Sequence, residues 1–145
     1  MVHALEEARR FLVPQGILVD LRPYCVEVPL ELVFHEGIES VARLDSSPSR
    51  SDDLAADQAF ESAAQAGMIK ELKSEYFFFD FYWDTVQDMR VDWEDKWWSD
   101  VVLPKKVLRR AARMYKEHPG SPRLRIRIRS KLVVYEKPER QNDLD

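Results

Sequence analysis

Apolar residues recur at helical spacing in the first segment of the chain and then give way to a short continuous apolar run. Across residues 3–12 the apolar positions lie three or four residues apart, which predicts an amphipathic helix. Residues 14–16 (Pro-Gln-Gly) predict a turn. Residues 17–21 are almost entirely apolar, which is typical of a strand covered on both faces. These segments predict one helix–turn–strand unit.

The pattern then changes to a hairpin, a loop and a second helix. The β-prone segments 30–34 and 38–44 flank a turn at Gly37, a residue that can adopt a positive φ at no steric cost. Residues 45–51 have the composition of a loop, and we expect them to be mobile. The helix that follows is predicted to start with Asp52 or Asp53 as its cap and to end at Gly67.

Aromatic residues then dominate a long β-prone stretch, residues 70–83. They occur at both odd and even positions, so we expect both faces of this strand to be covered. Asp84 or Thr85 can open a helical region that runs through three tryptophans: Trp93, Trp97 and Trp98. Pro104 suits the first position of a final helix that ends near residue 118. A last strand is predicted over residues 123–135.

Composition places the chain among globular proteins. Its 145 residues are 45% hydrophobic and 33% charged, which predicts a single domain over residues 1–138 with a frayed tail at 139–145. No apolar run approaches the roughly 20 residues that a membrane span needs. The N-terminus lacks the pattern of a signal peptide, and the single Cys25 cannot form an internal disulfide. We therefore expect a cytoplasmic protein that does not enter a membrane.

The net charge of −4 hides an asymmetry along the chain. Residues 105–131 contain half of the 22 basic residues, whereas residues 80–100 are rich in aspartate and glutamate. Either the two segments neutralise each other inside the fold or they give the surface a dipole.

Residues 4–20, Ala-Leu-Glu-Glu-Ala-Arg-Arg-Phe-Leu-Val-Pro-Gln-Gly-Ile-Leu-Val-Asp, resemble a stretch of class I SAM-dependent methyltransferases. In that family a helix ending in an AxRxLxPGG phrase leads into the fifth strand, and Gln15 here replaces the usual glycine. The later order of a helix, a long strand, a helical insertion and a last strand is similar to the C-terminal half of that family. The resemblance implies an α/β fold with a partial Rossmann-like sheet that is mixed, has a long antiparallel strand pair and is flanked by helices.

The resemblance also implies that the half of the domain that binds SAM is missing. The family binds SAM through a glycine-rich turn, where glycine allows the backbone to approach the ligand closely. The four glycines here are isolated, so no cofactor-binding, catalytic or metal-binding residue is carried over. We expect no cofactor on this chain alone, and SAM only if a missing N-terminal half completes the site.

Half a sheet leaves an open edge at the predicted strand 17–21. Pairing with a second copy of the chain would protect this edge, and the hairpin at 30–44 could cover it instead. We expect a homodimer or, alternatively, a complex with a partner chain that binds SAM.

Arginine alternates with apolar residues at the start of the last strand, which places four guanidinium groups on one face: Arg123, Arg125, Arg127 and Arg129. Such a ladder could bind a phosphate, a carboxylate or a nucleic acid. The favoured interpretation is structural pairing with Glu71, Lys73 and Glu75 or with the acidic helix at 88–100. The sequence pI of 5.5 weighs against nucleic acid.

A second set of candidates could bind a ligand in a cleft: Asp80, Trp83, Asp84, Trp93 and Trp97. A carboxylate beside a large aromatic ring suits a cationic or polar ligand, and the family uses its helical insertion to bind substrates. Capping by the aspartates and core packing by the tryptophans are the favoured alternatives.

Three functions follow from these observations. The first is a non-catalytic methyltransferase-like domain that acts as a dimeric ligand-binding or interaction module. The second is the C-terminal part of a methyltransferase that is active only with the missing half. The third is an anion or nucleic-acid binder that uses the arginine ladder.

Overall fold

The computed structural model describes residues 2–24, 27–96, 100–118 and 120–139, with side chains from Leu5 onward. In these ranges the helices are α1 (Val2–Phe11), α2 (Ser47–Gln65), α3 (Val86–Lys96) and α4 (Lys105–Glu117), and the strands are β1 (Ile17–Pro23), β2 (Glu27–Phe34), β3 (Gly37–Asp45), β4 (Lys70–Trp83) and β5 (Arg123–Glu136). None of the described helices is both long enough and apolar enough to cross a membrane.

The mixed α/β class predicted from the sequence is confirmed, with a sheet of five strands and four described helices. The sheet is antiparallel, and β5 pairs with β1, β2 and β4. A Rossmann-like sheet is mostly parallel. The structure therefore gives no support to the Rossmann-like part of the prediction, although the expected pairing of the last two strands is present.

The chain divides into two compact units. Unit 1 contains residues 1–23, 52–77 and 130–145, and unit 2 contains residues 24–51 and 78–129, within the described ranges. Each unit has its own hydrophobic core.

In unit 1, β1 pairs antiparallel with the second half of β5, where Val19 lies opposite Val134. One face of this pair is covered by α2, whose Phe60 stacks on Tyr135 with 4.9 Å between the ring centroids. Side chains Val133 and Ile69 complete the core. The other face of β1 is open, since Ile17, Val19 and Leu21 are each about half exposed. The prediction that this strand is covered on both faces is wrong, because α2 packs against one side of the pair.

The helix–turn–strand unit at the start of the chain is confirmed. The turn after α1 is held to the end of β5 by two backbone hydrogen bonds, from Gln15 N–H to the Lys137 carbonyl and from Lys137 N–H to the Gly16 carbonyl. The Lys137 ammonium donates to the carbonyls of Arg9 and Leu12, so a cation caps the C-terminal end of α1. Gln15 has a φ of 63° at the position where the resembling family has glycine.

In unit 2, the hairpin of β2 and β3 confirms the predicted β-prone pair, and β2 also pairs antiparallel with the first half of β5. The predicted hairpin therefore covers β5 and not β1. Side chains from both strands, including Leu32 and Leu124, meet α3 and α4 in a core. Met89 of α3 and Ala111 of α4 are fully buried there.

The caps of two helices follow local chemistry. Gly67 ends α2 with a φ of 65°, as predicted, and the Met68 N–H donates to the Ala63 carbonyl. Thr85 opens α3, because its hydroxyl oxygen accepts the Asp88 N–H at 3.0 Å while the hydroxyl donates to the Asp88 carboxylate.

Three local predictions are wrong. The segment 45–51 is not a loop, because α2 already begins at Ser47 and the Asp45 carboxylate accepts the Ser47 N–H at 2.8 Å. Asp52 and Asp53 therefore lie within the helix and do not cap it. Pro104 precedes α4 as its cap and is not its first residue.

Gly16 is required for a close backbone approach within the turn that follows α1. A Cβ at this position would lie 2.7 Å from the Val13 carbonyl oxygen, which belongs to the backbone and cannot move aside cheaply. We predict that Gly16→Ala lowers the free energy of unfolding by about 1–3 kcal/mol. Gly37→Ala is the matched control, because a Cβ there meets nothing within 4 Å. Urea denaturation of both variants tests this, and equal stability would contradict it.

Candidate functional site

The arginine ladder lies on one side of the first half of β5. The alternating residues Leu124, Ile126 and Ile128 are buried in the core of unit 2, so the arginines point to the opposite face. Arg125 is nevertheless only 8% exposed, whereas Arg123 and Arg129 are exposed. The four residues thus have different environments.

Arg125 is held by two carboxylates. Its Nε and Nη2 donate to Glu31 Oε2 at 2.9 and 2.6 Å, and its Nη1 donates to Asp80 Oδ2 at 3.5 Å. Glu31 lies directly opposite Arg125 in the pairing of β2 with β5, next to an irregularity in the β2–β3 register. Burial would lower the pKa of Arg125, but hydrogen bonds with Tyr82 and Glu31 and the charges of Glu31 and Asp80 outweigh it and raise this pKa.

Asp80 bridges two arginines of the ladder. Its Oδ1 accepts a hydrogen bond from Arg127 Nε at 3.0 Å while Oδ2 faces Arg125. The Arg127 guanidinium also lies 4.8 Å from the centroid of the Phe78 ring, a cation–π contact. Glu31, Arg125, Asp80 and Arg127 therefore form one continuous chain of alternating charges.

Arg123 makes a more exposed contact. Its Nε lies 2.7 Å from Asp84 Oδ1, and its guanidinium lies 4.9 Å from the centroid of the Tyr82 ring. The Asp84 side chain is 78% exposed, so this ion pair contributes little to stability.

The partners of Arg123, Arg125 and Arg127 differ from those predicted. The sequence interpretation expected Glu71, Lys73 and Glu75 or the acidic helix at 88–100, whereas the observed carboxylates are Glu31, Asp80 and Asp84. These three residues come from β2, from β4 and from the residue after β4. An external anion would have to compete with Glu31 or Asp80 for the two central guanidinium groups.

Two of the predicted tryptophan candidates belong to the core of unit 2. Trp83 and Trp93 are buried, with their ring centroids 6.2 Å apart. The Trp83 indole N–H donates to Asp92 at 3.0 Å and that of Trp93 to the Val101 carbonyl at 3.2 Å. Hydrogen bonds from Lys96 and Trp83 lower the pKa of Asp92. Trp97 lies outside the described residues, as do Trp98 and Cys25.

Unit 1 contains a second charged cluster that the sequence interpretation missed. Arg22 donates to both carboxylate oxygens of the buried Asp20 at 2.8 Å and to Asp57 at 2.7 Å. Lys131 donates to the same Asp57 oxygen at 3.0 Å. These four residues connect β1 and β5 to α2. The only signal in the sequence was an aspartate within the apolar run 17–21.

The aromatic residue Tyr135 lies beside this cluster. Burial raises the pKa of its phenol to about 12. A neutral hydroxyl next to balanced charges suits a structural role. Within the described residues, no group of three or more His, Cys, Asp and Glu side chains could hold a metal ion.

The first part of β4, residues 70–77 of unit 1, is open to solvent; we call it the β4 edge. Every residue from Lys70 to Phe79 is exposed, and Leu72 has 47% of its surface accessible. Among the described strands, β4 pairs only with β5. The prediction that both faces of this strand are covered is wrong, because α2 packs against β5 and Ile69 in unit 1.

No protein-family model, no curated protein and no solved structure matches this chain. The resemblance to methyltransferases therefore depends on residues 4–20 and on the order of the later elements.

We predict that Arg125→Gln lowers the free energy of unfolding by roughly 1–3 kcal/mol, because it leaves Glu31 and Asp80 without their shared cation. Arg43→Gln is the control, since the ion pair of Arg43 with Glu27 is exposed on both sides. Chemical denaturation gives both values. Equal free energies of unfolding for Arg125→Gln and the control would contradict the structural role of Arg125 and would favour binding of an anion by the arginine ladder.

His118 connects the end of α4 to the hairpin of unit 2. Its Nδ1 lies 2.8 Å from the Met114 carbonyl, its Nε2 lies 3.4 Å from Glu39, and its ring packs 4.3 Å from that of Phe34. The hydrogen bond to Met114 raises the pKa of His118 above 6.5, and the charges of Glu39 and Glu117 act in the same direction.

A histidine with a raised pKa in the folded state stabilises the fold below its unfolded pKa, and this contribution is lost as the pH rises through the folded pKa. We predict that the free energy of unfolding of the wild type falls more steeply from pH 6 upward than that of His118→Gln. Denaturation curves measured across this range test the prediction. Parallel pH profiles for the two proteins would refute it.

Proposed function

We propose that this chain is a non-catalytic interaction module that assembles as a homodimer through the β4 edge. The observation that carries the proposal is a strand whose first ten residues are all exposed and which pairs on one side only, among the described strands. An edge strand presents unpaired backbone N–H and C=O groups that pair readily with another strand. The β4 edge adds exposed apolar side chains at Leu72, Tyr76 and Phe77. Occupation by a second copy would shield both.

The charged side chains of the fold support a structural interpretation of both clusters. Arg125 and Arg127 are occupied by Glu31 and Asp80 in unit 2, and Arg22 is occupied by Asp20 and Asp57 in unit 1. Catalytic groups are usually poised toward a substrate, whereas these groups point at one another. The exposed β4 edge is thus the better candidate for function.

The test replaces exposed apolar residues of the β4 edge by threonine, which retains a high preference for strands. We predict that wild-type protein sediments as a dimer and that Leu72→Thr with Phe77→Thr sediments as a monomer, because the apolar contacts across the edge are removed. Thermal unfolding of the variant confirms that it is folded. Analytical ultracentrifugation over a wide concentration range gives the molar mass.

The matched control is Ile17→Thr with Val19→Thr, which changes two exposed apolar residues on β1, another strand that pairs with β5. This variant is expected to remain a dimer. Dissociation of the control and not of the β4 variant would assign the interface to β1. A wild type that stays monomeric at every concentration would refute the proposed function.

A second candidate is the C-terminal part of a SAM-dependent methyltransferase that a missing N-terminal half completes. The observation that favours it is the order of α1, the turn at Gln15 and β1, which is the order that the resemblance over residues 4–20 implies. SAM binding by a chain extended upstream in the same reading frame, measured by isothermal titration, would support this candidate, and a failure to bind would contradict it.

A further inference from the structure

The β4 edge carries charges as well as apolar residues, and their order restricts how a second copy can pair with it. Lys73 Nζ lies 2.8 Å from Glu75 Oε2 in the same chain, so the two side chains share one face of the strand. Both are solvent-exposed. Opposite charges two residues apart can serve as a register mark in a strand that pairs with itself.

Symmetry limits the possible registers. In a strand, only every second residue directs its N–H and C=O groups toward the free edge. When two copies pair antiparallel about a two-fold axis, residues of equal parity lie opposite each other. The axis must therefore lie between the two copies of one residue, so that this residue faces its own copy. It cannot lie at the midpoint between two successive residues.

The charges then distinguish the permitted centres. An axis at Lys73 or at Glu75 places that residue opposite its own copy, which sets like charges against each other. An axis at Leu72 sets Lys73 opposite Glu71, but it pairs only five residues and leaves Glu75 without a partner, because β4 begins at Lys70. An axis at Tyr76 or further along sets Lys73 and Glu75 opposite aromatic residues and leaves their charges without cross-strand partners.

An axis at Ser74 gives both Lys73 and Glu75 a cross-strand partner of opposite charge and extends over seven residues, while Glu71 lies opposite Phe77. It places Lys73 opposite Glu75 of the second copy, twice by symmetry, and Leu72 opposite Tyr76. The two intrachain ion pairs then combine into a square of four alternating charges around the axis. Side chains directly opposite in antiparallel strands have Cβ atoms about 5 Å apart, which suits these contacts.

We infer that β4 pairs antiparallel with β4 of a second copy, with the two-fold axis at Ser74, and that Lys73 and Glu75 set the register. This inference rests on the proposed function, since it assigns the occupant of the same edge. The pairing covers residues 71–77 on each copy, all of them within unit 1.

Charge reversal tests the register. Lys73→Glu and Glu75→Lys each replace two attractive cross-strand pairs by two repulsive ones, so each should weaken the dimer on the order of tenfold. The double variant restores opposite charges and should return to within about threefold of the wild type. Sedimentation equilibrium gives the dissociation constants, and circular dichroism checks that these exposed substitutions leave the fold intact.

Cysteine cross-linking locates the axis independently. In a Cys25→Ser background, Ser74→Cys should form an intermolecular disulfide under mild oxidation because the two copies of residue 74 face each other. Lys70→Cys is the matched control, since its two copies would be about 27 Å apart at 3.4 Å per residue. Cross-linking by Lys70→Cys in preference to Ser74→Cys would overturn the register.

The outcomes separate the two proposals. A dimer that is indifferent to both charge reversals and does not cross-link at Ser74 would refute this register while the proposed function stands. A monomeric wild type would mean that the edge is not occupied by a second copy, and both proposals would fail. Weakening by each single reversal, recovery in the double variant and cross-linking at residue 74 would together establish the pairing.

Discussion

Alternation of arginine with apolar residues in the first half of β5 imposes a cost that the neighbouring strands must offset. The apolar residues need a covered face, and pairing on both sides of β5 buries Arg125, which points the other way. A guanidinium group removed from water costs several kcal/mol unless carboxylates compensate it. Glu31 on β2 and Asp80 on β4 supply that compensation to Arg125. Thus β2 and β4 both pair with β5 and supply the carboxylates that compensate its buried arginine.

Unit 1 also compensates its partly buried cations with carboxylates of its own. Two carboxylates, Asp20 and Asp57, face two cations, Arg22 and Lys131, between β1, β5 and α2. Each unit therefore contains a balanced ionic cluster beside its apolar core. The basic excess of the last third of the chain is partly neutralised in this way, through Arg125, Arg127 and Lys131. The basic residues of α4, in contrast, are mainly exposed to solvent.

Local features of the fold could be predicted because neighbouring residues determine them. Gly67 ends a helix because it adopts a positive φ, and Thr85 opens one because its hydroxyl reaches the N–H three residues on. The start of α2 was missed because residues 45–51 look like a loop in composition, while the carboxylate of Asp45, the first residue of that segment, caps the helix.

Long-range features could not be predicted in the same way. The alternation of the arginine ladder was evident, yet its partners Glu31 and Asp80 depend on which strands lie beside β5. The exposure of β4 was missed for a similar reason, because aromatic residues on both faces of a strand normally indicate two covered faces. Such a composition also fits a strand whose cover is supplied by another chain.

An exposed edge strand needs a feature that restricts it to one pairing register, because otherwise several registers and partners are open to it. An edge that carried only apolar residues could slip between registers or recruit further copies. Lys73 and Glu75 destabilise the registers centred on either of them, because like charges then lie opposite each other. They stabilise the register centred on Ser74, where opposite charges face each other. In a two-fold pair the β4 edges of both copies are occupied by each other. No free β4 edge is then left to which a third copy could add. The same two charges that make the edge specific would therefore also make the assembly finite.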